Sequence, residues 1–134
     1  MILEAPLILL VEDEFLIRDL VESHLKEAGY TVLTCDNGVA AIDLIEREHG
    51  RFGGLVTDVN LGPPRNGWVV AAKARELNPA LPVIYVTGDS SHEWAAHGVP
   101  HSLLIAKPFV PTEVTVALAS LRAPSSMSTP VEEA

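Results

Sequence analysis

The spacing of apolar positions changes along this chain, and each change marks an element. Leu7-Ile8-Leu9-Leu10-Val11 is a continuous apolar run that ends abruptly in Glu12-Asp13-Glu14. So short a run fits a strand buried on both faces of a parallel sheet. Next, Phe15, Ile17, Leu20, Val21, His24, Leu25 and Ala28 fall near helical spacing, and Gly29 supplies a stop. Thr31 to Thr34 reads as a second strand. Asp36-Asn37-Gly38 is a turn, and Val39, Ala41, Ile42, Leu44 and Ile45 form the apolar face of a second helix, closed by Gly50 and Gly53-Gly54. Leu55 to Val59 is a third strand carrying Asp58 near its end. A loop from Asn60 to Asn66 leads into a helix from about Gly67 to Leu77, stopped by Asn78-Pro79. Pro82 to Thr87 is a fourth strand, stopped at Gly88-Asp89. A short helix over Ser91 to His97 has Gly98 and Pro100 behind it. Ser102 to Ala106 is the fifth strand, and the last helix runs from about Pro111 to Leu121.

Five β-α units in alternation predict an α/β fold: a doubly wound, five-stranded parallel sheet with helices on both faces. Residues 1–121 form one domain. The stretch from Arg122 to Ala134 holds Pro, Ser, Thr and Glu with little to bury and is expected to be a disordered tail. In sheets of this kind function gathers at the carboxyl ends of the strands.

Composition narrows the options. At 134 residues the chain has room for one domain, and a chain of this size buries roughly two-thirds of its unfolded surface. The net charge of −9, with no basic run, argues against a nucleic-acid partner. The apolar run Leu7 to Val11 lacks a basic flank and is too short to span a bilayer, so no signal peptide or membrane segment is expected. The single cysteine, Cys35, excludes an internal disulfide and suits a reducing cytoplasm, the expected location.

The chemistry-bearing residues sit at strand ends. The first strand ends in Glu12 and Asp13, the third in Asp58 and the fourth in Thr87; Lys107 follows the fifth. Two like charges about 4 Å apart repel by about 1 kcal/mol in water and roughly 4 at an effective dielectric of 20. Lys107 offsets part of that repulsion. A hard divalent cation with oxygen ligands would offset the rest, and Mg²⁺, which takes one or two carboxylates, waters and a phosphate oxygen, is the natural ion. A carboxylate can also attack phosphorus to give an aspartyl phosphate, with Mg²⁺ and Lys stabilising the transferring group.

Here the chain resembles the receiver domains of two-component response regulators, the CheY-like (flavodoxin-like) fold. The residues that carry the resemblance are Leu9-Leu10-Val11-Glu12-Asp13-Glu14, Val56-Thr57-Asp58-Val59-Asn60-Leu61, Val86-Thr87-Gly88 and Lys107-Pro108-Phe109. It extends from about Leu7 to Leu121, and four motifs in order at matching strand ends are specific. The resemblance implies strand order 2-1-3-4-5. It implies that Asp58 accepts a phosphoryl group from the phosphohistidine of a histidine kinase or phosphotransfer protein. Glu12, Asp13, Asp58 and the backbone carbonyl of Asn60 would hold Mg²⁺; Thr87 and Lys107 would contact the phosphoryl group. The Lys107-Pro108 bond would be cis.

The chain departs from the family in three places. Leu104 stands where many receivers carry Tyr or Phe, which removes the usual aromatic relay; Tyr85 and Trp94 are candidate substitutes. The loop after Asp58 is one residue longer than usual. The segment from Thr87 to Lys107 is short, which predicts a short fourth helix. His97 and His101 have a four-residue spacing, but Gly98 and Pro100 between them argue against a helical metal-ligand pair. Cys35 and Trp68 read as packing residues, and Trp94 as a partly exposed one.

Two other functions stay open at this level. One is a receiver-fold scaffold that works without phosphorylation, a reading that Leu104 favours. The other is a phosphatase built on a nucleophilic Asp, which the missing acid at Asn60 disfavours. The leading expectation is a non-enzymatic, phosphorylation-switched module that signals through an unknown downstream protein or serves as a phosphate sink.

Overall fold

The structure, a computed structural model, describes residues 5–88 and 91–123. The expected stop at Asp89 and the stretch beyond Ala123, where the disordered tail is expected, lie outside these residues. The strands are β1 (Leu7–Val11), β2 (Thr31–Cys35), β3 (Phe52–Asp58), β4 (Val83–Thr87) and β5 (Leu103–Ala106). The helices are α1 (Phe15–Glu27), α2 (Gly38–Glu48), α3 (Gly67–Leu77), α4 (Trp94–His97) and α5 (Pro111–Arg122). All strand pairs are parallel, in the order β2-β1-β3-β4-β5. This is the doubly wound fold expected from the sequence.

The continuous apolar strands make sense once both sheet faces are covered. Successive side chains on a strand point to opposite faces. Ile8, Leu10, Val56, Ile84 and Val86 pack with Val21 and Leu25 of α1 and Val114 and Leu118 of α5. Their neighbours Leu9, Val11, Leu55, Val83 and Tyr85 pack with Ala41 and Ile45 of α2 and with Trp68, Ala71 and Ala74 of α3. Each fully buried Leu or Ile contributes about 1.5–3 kcal/mol relative to exposure. No helix among the described residues is long and apolar enough to cross a membrane.

Local signals place the helices. Asn37 and Asn66 cap α2 and α3: their side-chain oxygens accept the amides of Ala40 at 2.8 Å and Val69 at 3.0 Å. Gly29, just past α1, has φ +103°, the left-handed conformation that ends many helices. The fourth helix is short, as expected: one α-helical stretch, Trp94–His97, follows a 3-10 turn over Ser91–Glu93.

Some boundaries shift by one residue from the sequence reading (β3 ends at Asp58, β4 starts at Val83 and β5 at Leu103), and others differ for a reason of packing or bonding. Gly53-Gly54 does not close α2; a 3-10 turn over His49–Arg51 does that, and β3 begins at Phe52. The reason is packing. A Cβ on Gly54 would stand 2.9 Å from Ile8 Cδ1 and 3.1 Å from Leu118 Cδ1, so glycine lets β1 and α5 press against β3. Strand β2 extends to Cys35, which pairs with Val11 and packs against the core. Helix α5 includes Arg122, whose guanidinium donates to the Gly53 carbonyl at 3.0 Å.

Candidate functional site

Register brings the strand-end residues to one edge. Val11 pairs with Thr57 across β1 and β3, so Glu12 comes level with Asp58. Thr87 pairs with Ala106 across β4 and β5, and its carbonyl accepts the Lys107 amide at 2.7 Å. Lys107 therefore leaves β5 directed at the ends of β1 and β3. The Lys107-Pro108 peptide bond is cis.

The Lys107 ammonium stands 3.1 Å from Asp58 Oδ2, 3.5 Å from Glu12 Oε2 and 3.1 Å from Glu14 Oε1. Glu12 and Asp58 are nearly inaccessible, at 2% and 4% of their full exposure. Asp13 is exposed beside them, and one carboxylate oxygen from each of Glu12, Asp13 and Asp58 fits within a 4.8 Å cluster. It is the only group of three or more metal-ligating side chains among the described residues. His92, His97 and His101 thus form no such group; the His97 ring lies 6.0 Å from the Trp68 ring.

The electrostatics follow from crowding. Burial first, and the Asp58 carboxylate second, push the Glu12 carboxyl up to about 8, against the pull of the Glu14 amide and Lys107. Burial pulls the Lys107 ammonium down, but Asp58, Glu12 and Glu14 outweigh it and hold the group above its ordinary value. One ammonium therefore faces more negative charge than it balances. Every donor atom in the acidic cluster is oxygen, a set that suits a hard divalent cation and not a soft one.

The backbone around Asp58 is held tightly. Asp58 Oδ1 accepts the Asn60 amide at 3.1 Å, and the Asp58 carbonyl accepts the Thr57 hydroxyl at 2.9 Å. Gly67 opens α3 directly against this turn. A Cβ there would stand 2.1 Å from the Asp58 carbonyl oxygen, so no other residue fits without moving the strand end. An open pocket above Asp58 is lined by Asp13, Glu14, Asp58, Asn60, Gly88 and Lys107. Glu12 and Thr87 are buried and do not line this pocket.

The sequence reading did not single out three contributors. Glu14 bonds Lys107 through its carboxylate and Glu12 Oε2 through its amide, at 3.1 Å each. Arg18 donates to the Glu12 carbonyl at 2.9 Å. Gly67 supplies the close approach just described. Only Glu14 had a visible signal, as the third acid in the run after β1.

The absent aromatic at Leu104 has a structural counterpart. Leu104 packs against the cluster that contains Trp68 and Tyr85. Tyr85 is fully buried, its ring 4.7 Å from that of Trp68, and its hydroxyl accepts the Val99 amide at 3.0 Å. Tyr85 is thus a satisfied core residue. Trp94 is partly exposed, and its indole N–H donates to Ser102 Oγ at 3.0 Å.

Comparison with known proteins gives a consistent family. The response regulator receiver domain family matches residues 8–119. The receiver protein CpdR of Brucella abortus is 36% identical over 81 residues, 60% of this chain and 65% of CpdR. A response regulator receiver protein of Sinorhizobium medicae has a crystal structure with a TM-score of 0.83 and 38% identity, covering 89% of this chain and 95% of that one. The receiver domain of the Pseudomonas aeruginosa sensor histidine kinase PA1611, solved with magnesium in its active-site cleft, gives 0.75 at 25% identity, covering 88% and 98%. The chain covers less of other curated relatives, 10% of one and 47% of another.

Proposed function

The chain belongs to the response regulator receiver domain family of two-component signalling, and on that premise we propose that it is a phosphorylation-switched module whose phosphoacceptor is Asp58. The observation that carries this reading is the buried Asp58 carboxylate 3.1 Å from Lys107, beneath an open pocket and beside Glu12 and Asp13. The donor is the phosphohistidine of a histidine kinase or phosphotransfer protein.

In the step, an Asp58 carboxylate oxygen forms a bond to phosphorus as the P–N bond breaks, and the bond's electron pair returns to the imidazole. The Lys107 ammonium stabilises the transferring oxygens, and the Thr87 hydroxyl donates to one of them. The Asn60 amide holds Asp58 Oδ1 and so fixes the orientation of the carboxylate. Glu12, Asp13, Asp58 and the Asn60 carbonyl would hold Mg²⁺, which supplies positive charge to the carboxylates and to the phosphoryl oxygens. The charge imbalance at Glu12 and the all-oxygen donor set support this ion.

The phosphoryl group adds about −1.5 to −2 charge beside Lys107 and Gly88, which biases the loops after β3, β4 and β5. Output passes to a protein partner, or the module drains phosphoryl groups from a kinase. The test is incubation with acetyl phosphate and Mg²⁺ followed by intact-mass measurement. The protein should gain one phosphoryl group, and Asp58→Asn should gain none. Equal labelling of the variant, or no labelling of the wild type, rejects Asp58 as acceptor.

A further inference from the structure

We propose that Glu14 is a specificity-determining residue for phosphoryl acceptance, its carboxylate guarding Lys107 at the pocket mouth and selecting against highly charged phosphoryl donors. The proposal rests on the reading of Asp58 as phosphoacceptor and adds a discrimination that this reading does not contain.

An ammonium has three N–H donors. In this structure three carboxylates stand within reach: Asp58 at 3.1 Å, Glu12 at 3.5 Å and Glu14 at 3.1 Å. The first two lie underneath and are buried, whereas the Glu14 side chain is 61% exposed. Lys107 is thus held from below by an inner pair and from outside by Glu14. A phosphoryl oxygen entering the pocket must share Lys107 with these groups; Asp58 and Glu14 both line the pocket, and Glu14 is the solvent-exposed one of the three.

Glu14 is also anchored. Its amide donates to Glu12 Oε2 at 3.1 Å, so the residue's backbone is tied to the site while its carboxylate reaches across to Lys107. The nearby Arg18 does not relieve it. That guanidinium donates to the Glu12 carbonyl and lies 5.5 Å from the centre of the Phe15 ring. Among the described residues, Glu14 forms its ion pair with Lys107.

Two effects then work in one direction. Glu14 occupies part of the cation that the phosphoryl oxygens need, and its charge repels them. Both grow with the donor's negative charge. Coulomb repulsion between unit charges about 4 to 6 Å apart, at the near-water effective dielectric of about 60 to 80 that fits a solvent-exposed pocket mouth, corresponds to roughly a three- to tenfold rate difference per unit of donor charge.

The experiment compares two small donors at neutral pH under saturating Mg²⁺. Acetyl phosphate is a dianion, and phosphoramidate carries one net negative charge. Initial rates of Asp58 labelling are measured for the wild type, Glu14→Gln and Glu14→Asp. Glu14→Gln should raise the acetyl phosphate to phosphoramidate rate ratio roughly three- to tenfold, and Glu14→Asp should stay near the wild type. An unchanged ratio in Glu14→Gln, with the wild type labelled normally, overturns this proposal alone. So does an equal fall with both donors, which would make Glu14 only an anchor for Lys107. A wild type that neither donor labels overturns the phosphoacceptor reading, and this proposal with it.

Discussion

Lys107 faces three carboxylates at 3.1 to 3.5 Å, whereas several bonds among the described residues between β4 and β5 join uncharged groups. There the Tyr85 hydroxyl accepts the Val99 amide, the Trp94 indole donates to Ser102, and the Ser102 hydroxyl donates to the Val99 carbonyl. Arg75, reaching over from α3, gives its guanidinium to the carbonyls of Leu81, Pro100 and His101. In these bonds donors and acceptors close on one another. The pocket is unbalanced by contrast, since one ammonium cannot neutralise the acids around it. A closed polar network stabilises a fold, and an unbalanced one creates affinity for a ligand of the missing sign.

That contrast can be broken most strongly at Lys107. Lys107→Met removes the ammonium paired with the buried Asp58 and Glu12. In chelator it should cost about 3 kcal/mol, the low end for breaking a buried pair because the side chain keeps some exposure. Added Mg²⁺ should restore part of the loss in denaturant titrations. A cost that Mg²⁺ leaves unchanged would mean that charge balance is not what Lys107 provides.

A second perturbation uses pH. Burial, with the Asp58 carboxylate beside it, pushes the Glu12 carboxyl from its ordinary 4.5 up to about 8 in the folded chain. Between those values the folded state binds more protons than the unfolded one, so stability should fall as pH rises through this window. Thermal melts of the chelated protein should show the decline, and Glu12→Gln should flatten it.

The smallest effect belongs to the neutral network. Tyr85→Phe takes from the Val99 amide the hydroxyl it donates to and should cost about 1–2 kcal/mol. The rate of Asp58 labelling should not change. If it does, the Tyr85–Val99 link is a relay to the pocket after all, and the two regions are coupled.

Much of the fold was legible because its signals are local. Leu7 to Val11 cannot be a half-exposed strand, and Gly29, Asn37 and Asn66 mark helix ends through their own backbone and side-chain chemistry. The misplaced boundary at Gly53-Gly54 shows the limit. A glycine pair reads as a breaker, yet here the missing Cβ makes room for Ile8 and Leu118, which are distant in sequence. Cys35 and Arg122 were assigned short of their elements for the same reason, since pairing with Val11 and bonding to Gly53 are long-range contacts.

The sequence alone determined which residues carry charge at the strand ends, because an apolar run that stops at an acid or a lysine is a pattern readable in one dimension. Tertiary structure decided how those charges meet. Parallel register set Glu12 beside Asp58, burial raised the Glu12 carboxyl, and the exit of β5 swung Lys107 between Asp58 and Glu14. Distances of a few ångströms govern Coulomb energies, and only the packed sheet sets them.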